Sequence, residues 1–166
     1  MRILIMRHSV AVDPYGAPTD ETRWLTAEGR ARARAVAQVL HSSLPAPLTH
    51  VFTSPLVRAV QTADLVVEGN GYEGAVVTHP PLAVEYGTTA QALACLDDLP
   101  ENAVALLVSH EPKVRVLAGH LLGASTMTAF RTASVCAIDR RRDRADLAFW
   151  IDPTGPTRLN TPPALG

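Results

Sequence analysis

Two arginines and two histidines of this 166-residue chain stand where their side chains could manage a phosphate group. Arg7 and His8 follow directly on the apolar run Met1–Met6. Arg58 comes shortly after the run Thr49–Thr53, behind Ser54-Pro55, and His110 follows Ala103–Val108 and Ser109. A guanidinium is a permanently charged planar fork that binds phosphate oxygens two at a time. A neutral imidazole carries a lone pair able to attack phosphorus and an N–H able to stabilise an oxygen. Phosphoryl transfer asks chiefly for positioning and neutralisation of charge. These types point to Arg7 and Arg58 as phosphate ligands, His8 as nucleophile and His110 as a donor to a phosphate oxygen. Two nearby guanidiniums oppose protonation of His8 and keep it reactive. A lone Arg-His pair would signify little, because most histidines are surface or core residues. The weight rests on three strand ends presenting matched groups.

The elements around these residues bring them to one rim. Each of the three apolar runs is short, and the run ending at Val108 is continuous, as in strands covered on both faces. In an open α/β sheet, ligands bind at the carboxyl ends of such strands. Thr26 caps a first helix whose stripe is Ala33, Val36, Ala37 and Leu40, with Glu28 in its first turn. Ser54-Pro55 reads as the start of a second helix with stripe Leu56, Val60, Ala63 and Val67, stopping near Gly69-Asn70-Gly71. A third strand follows over Ala75–Thr78, and a short helix runs from Thr88 or Thr89 to Leu96. Pro112 and Gly123 bracket another helix. Ser134–Ile138 and Asp146–Ile151 read as two strands joined by Asp139–Arg144. The expectation is a single-domain α/β three-layer sandwich. Its sheet is mostly parallel, with helices on both faces and a C-terminal strand hairpin. The domain spans residues 1–151, and prolines 153, 156, 162 and 163 argue for an irregular tail over 152–166.

Bulk composition narrows the partners. Net charge is −1 and charged residues make up 19%, so no general field favours nucleic acid or an anionic membrane. The arginines of Asp139–Arg144 are interrupted by aspartate and fit a solvated turn. No apolar stretch approaches the ~20 residues of a membrane span. Cys95 and Cys136 form no metal or redox spacing and suit reduced thiols. A cytoplasmic protein is expected. His110-Glu111 opens like a zinc-protease motif, but Val114 stands where the second histidine belongs. His41, His50, His79 and His120 have no partner spacing, and no glycine-rich phosphate loop precedes a helix. The long connector Val10–Trp24 leaves the His8 rim and is placed to cover it. Within it Arg23 could reach the rim.

Met6-Arg7-His8-Ser9, Ser54 to Ala63, and Val108-Ser109-His110-Glu111-Pro112 resemble, in order, the three signatures of the histidine phosphatase superfamily. Leu25-Thr26-Ala27-Glu28-Gly29 is similar to a further family element. Length and single-domain build resemble the short phosphohistidine phosphatase branch. The resemblance implies His8 as the phosphorylated nucleophile, with Arg7, Arg58 and His110 forming the phosphate pocket. It also implies a proton donor between the second and third motifs, where Glu85 is the best-placed carboxylate. Many members have glycine at the position of Ser9, so its hydroxyl could add a donor or crowd the pocket. The larger mutases of the family carry a helical insertion between the second and third motifs, for which this chain has no room.

The reaction expected is metal-independent hydrolysis of protein phosphohistidine, with no cofactor. A small phosphomonoester, such as a sugar phosphate or nucleotide, is the alternative substrate. A non-catalytic phosphate- or phosphopeptide-binding module is the rival from another class. The partner is therefore a phosphorylated protein or metabolite, not nucleic acid or membrane, and the chain is expected to be a monomer.

Overall fold

The structure is a computed structural model and describes residues 1–163. Its strands are β1 (Arg2–Arg7), β2 (His50–Thr53), β3 (Val76–Thr78), β4 (Val104–Ser109), β5 (Val135–Arg140), β6 (Ala145–Asp152) and β7 (Thr157–Leu159). The α-helices are α1 (Ala27–Ser43), α2 (Val57–Asn70), α3 (Thr89–Leu93) and α4 (Lys113–Leu122). All seven strands form one sheet in the order β3-β2-β4-β1-β5-β6-β7. β3, β2, β4 and β1 run parallel, and β5, β6 and β7 extend the sheet antiparallel. The parallel half is the one that carries the motifs.

Alternation along the central strands builds two cores. Leu4 and Met6 of β1, with Val104, Leu106 and Val108 of β4, pack against Val36, Ala37 and Leu40 of α1 and Ala59, Ala63 and Val66 of α2. Ile3 and Ile5, with Ala105 and Leu107, face Ala92 and Leu93 of α3 and Val114 and Leu117 of α4. Successive side chains of a strand point to opposite faces, so two apolar faces require an unbroken apolar run. This places helices on both sides of the sheet. The stripe of α1 is as its spacing indicates, and Thr26 caps it by accepting from the Gly29 amide at 2.9 Å. α4 ends at Gly123 in the left-handed region.

Three expectations are corrected. Within the tail expected to be irregular, Thr157–Leu159 pair with Trp150–Asp152 as strand β7, because the turn after Asp152 lets the prolines fall outside the paired residues. Residues 164–166 of that tail lie outside the described ones. α2 begins at Val57 with Leu56 at its cap, not at Ser54. Its buried face is Arg58, Ala59, Thr62, Ala63, Val66 and Asn70, rotated from the apolar stripe. That face is polar at its amino end because it meets the site and the backbone beyond β1.

Candidate active site

β1 and β4 are neighbours whose connections leave in opposite directions, to α1 on one face and α4 on the other. A crevice opens at such a point, outside the carboxyl ends of the two strands. Arg7 is paired with Ser109 across the ladder, so His8 and His110 are the next residues on each strand. The His8 amide donates to the Ser109 carbonyl at 2.9 Å, and the two imidazole centroids lie 4.9 Å apart. β2 runs along the other side of β4 and delivers Ser54, whose Oγ is 2.8 Å from His110 Nε2. Ser54 is therefore the partner of His110 rather than the cap of α2. The fields of Arg7, Arg58 and Arg23 all reach His8, so the structure brings all four groups together and adds Arg23.

Hydrogen bonds fix what each group can do. His8 Nδ1 lies 2.7 Å from the Ser9 carbonyl, which can only accept. The proton is thus on Nδ1, and the lone pair is on Nε2. His110 Nδ1 is buried and has no hydrogen-bond partner among the described residues. A serine hydroxyl can donate to Nε2 and leave the His110 proton on that free Nδ1. His8 is 9% exposed and His110 3%. Burial, opposed by the hydrogen bond to the Ser9 carbonyl and aided by the positive field of Arg58 and Arg7, pushes His8 down to about 4. Burial and the His8 ring push His110 down to about 3. Desolvation thus outweighs the two arginines as the reason these rings stay neutral.

A segment beyond α4 clamps the end of β1, and its role was not visible in the sequence. The Phe130 carbonyl accepts from Arg7 Nη1 at 2.7 Å, and the Phe130 amide donates to Glu111 Oε1 at 2.6 Å. The Ala133 amide donates to the carbonyls of Arg7 and His8, each at 3.2 Å. Ala133 adopts φ +71 to do so, a conformation that costs a residue with a Cβ about 1–2 kcal/mol and recurs near functional sites. Glu111, adjacent to His110, also raises the pKa of Arg7 against the lowering effect of burial.

Ser9 points away from the pocket. It is fully buried, its hydroxyl donates to the Gly29 carbonyl at 2.8 Å, and its amide donates to Thr62 Oγ1 at 3.0 Å. The Leu25–Gly29 element is thereby pulled against the end of β1. A Cβ at Gly29 would meet the Val10 carbonyl oxygen at 1.9 Å. Gly29→Ala is expected to destabilise the fold by on the order of 2–3 kcal/mol, read by urea melts. A change below about 0.5 kcal/mol would mean that this approach is not rigid.

Glu85 is not brought into this group. It is exposed on the loop between β3 and α3, and among the described residues no hydrogen bond or ion pair joins it to Arg7, His8, Arg58 or His110. Its loop is nevertheless held: Lys113 Nζ donates to the Pro81, Ala83 and Tyr86 carbonyls at 2.5–2.7 Å. Among the described residues no three or more His, Cys, Asp or Glu side chains gather as a metal site. No helix among them is long and apolar enough to cross a membrane.

The model of the histidine phosphatase superfamily, branch 1, matches residues 3–88. An uncharacterised protein of Picosynechococcus is 31% identical over 117 residues, covering 68% of this chain and 67% of that one. The structure of the protein histidine phosphatase SixA complexed with tungstate superposes with TM-score 0.82 at 27% identity, over 92% of this chain and 97% of that one. A structure described as an alpha-ribazole-5'-P phosphatase of Escherichia coli shares the fold, with TM-score 0.73 and 20% identity over 89% and 95% of the two chains. With its motif residues converging at one strand-end crevice and the family match covering the first two motifs, this chain belongs to the histidine phosphatase superfamily.

Proposed function

We propose that the chain hydrolyses phosphohistidine on a protein, passing the phosphoryl group through His8. The observation that carries the reaction type is the bond from His8 Nδ1 to the Ser9 carbonyl. It leaves Nε2 unprotonated on a ring that lies in the positive field of Arg58 and Arg7. Arg7 and Arg58 bind the phosphoryl oxygens, and His110 Nδ1 donates to one as charge builds in the transition state. Nε2 forms a bond to phosphorus while the bond to the substrate nitrogen breaks, and the departing imidazole takes a proton. Water then attacks the phosphorus on His8, releasing inorganic phosphate and restoring the lone pair.

Similarity to SixA supports a phosphohistidine substrate. The carboxylate bonded to Arg58 is unsuited to act as an acid, which fits the same reading. Asp20, bonded to Arg58, is held below the usual carboxylate range, chiefly by Arg23 and then by Arg58, and stays ionised. An alkoxide leaving group needs a proton, whereas imidazole departs readily. Glu85 is the donor proposed for ester substrates: its side chain is exposed, on a loop whose backbone Lys113 holds at Pro81, Ala83 and Tyr86.

The test is Glu85→Gln assayed on an alkyl phosphate and on a phosphorylated histidine protein. Loss on the order of 10²-fold is expected for the ester, with little change for phosphohistidine. An unmutated enzyme that prefers the ester would overturn the protein substrate. No loss on either substrate would remove Glu85 as the acid.

A further inference from the structure

The connector from Val10 to Trp24 is not a passive excursion. Its base is fixed by the Ala11–Leu25 bridge, by the Val12 amide on the Trp24 carbonyl at 2.9 Å, and by the Leu25 amide on Gln61 Oε1 at 2.8 Å. Its tip reaches back to Arg58. Arg58 Nη1 donates to the Asp20 carbonyl at 2.6 Å, and Nη2 donates to Asp20 Oδ2 at 2.8 Å. Arg23 Nη1 holds the other carboxylate oxygen, Oδ1, at 2.8 Å. The field of Asp20 extends to His110. Both terminal nitrogens of Arg58 are therefore engaged by one residue, and Arg58 is only 6% exposed.

We propose that Asp20 is a specificity-determining residue: its carboxylate occupies the Arg58 donors that a phosphoryl group needs, and only a ligand that outcompetes it gains the pocket. The proposal rests on reading this pocket as a phosphate site. A free carboxylate meets Arg58 with no advantage over Asp20, which is already tethered beside it. A dianionic phosphoryl group has oxygens for Arg7, Arg58 and His110 together, and so can displace it. Displacement disturbs little else. Residues 18–22 are all exposed, and among the described residues their only other backbone tie to the body of the protein is the Val57 amide on the Glu21 carbonyl at 3.2 Å. Once Asp20 leaves, Arg23 loses its partner at the same place and its charge is free to face the incoming anion.

Calorimetric binding of inorganic phosphate to the unmutated protein, Asp20→Ala and Asp20→Asn tests this, with circular dichroism confirming that each is folded. Removing the competitor should tighten phosphate binding on the order of 10-fold in Asp20→Ala. Asp20→Asn keeps an acceptor without the charge, so its gain should be smaller and in the same direction. Acetate should compete with phosphate in Asp20→Ala and not in the unmutated protein. Phosphate binding that is unchanged or weaker in both variants would overturn the proposal and leave the phosphatase reading intact. If none of the three proteins binds phosphate, the pocket is not a phosphate site and both readings fall.

Discussion

His8→Ala is expected to lower hydrolysis of a phosphoramidate and of para-nitrophenyl phosphate by at least about 10⁴-fold, with EDTA present throughout. Nothing else in the crevice replaces it. His110 is the other imidazole there; its Nε2 is engaged by Ser54, and its Nδ1 is the proposed donor to the phosphate. The expected size follows from losing the attacking atom itself rather than one of several stabilising contacts. Arg7 and Arg58 are untouched by the change, so the variant should still bind phosphate and keep its fold. Rapid acid-free quenching of the unmutated enzyme should trap a phosphoryl label that is lost in acid and absent from His8→Ala. Turnover that survives the substitution would move the nucleophile elsewhere. Phosphate binding with no turnover even before mutation would leave a binding module.

The parts of this site that the sequence made legible are those whose neighbours are set by a strand. Arg7-His8 and Ser109-His110 each follow an apolar run, and parallel pairing of two such runs forces their ends together. The fold was legible for the same reason, since continuous runs imply two covered faces. Side chains whose partners lie far along the chain were not. Apolar spacing puts Leu56, Val60, Ala63 and Val67 on the α2 stripe, yet Thr62 is buried because it accepts from the Ser9 amide, 53 positions away. Ser54 has the chemistry of a helix cap, and only the spatial closeness of β2 and β4 gives it to His110. Nothing local to Ser9 shows that its hydroxyl meets the Gly29 carbonyl, 20 positions away, rather than the pocket. Asp20, Glu111 and the Phe130–Ser134 clamp have no period or motif of their own. Their roles come from which carbonyls and guanidiniums they meet.

Acid should weaken the protein before it protonates His8, the proposed nucleophile. His8 and His110 titrate near 6.5 in an unfolded chain, but burial holds them at about 4 and about 3 in the folded one. Stability changes with pH according to the difference in bound protons, rising with pH where the unfolded state binds more. Above about pH 6.5 both states carry neutral rings and there is no penalty. Between that value and about 4, the unfolded chain takes up two protons that the native site refuses, so stability falls as pH falls. For each ring, every pH unit that separates its folded and unfolded titrations is worth about 1.4 kcal/mol. The pair therefore removes several kcal/mol by pH 4, a large part of a typical domain's stability. Activity should follow a different course. The fraction of His8 that is neutral stays near one until the pH approaches about 4, so kcat/KM should show no acidic limb near 6.5 that belongs to this group. Urea melts at pH 7 and pH 4.5 measure the loss, and proton NMR of His8 measures the titration. His8→Ala and His110→Ala should each flatten the slope of stability against pH, whatever they do to its absolute value. Equal stability at the two pH values, or a His8 resonance titrating at its ordinary value, would mean that the rings are hydrated rather than buried and that the neutral state of the nucleophile has another origin.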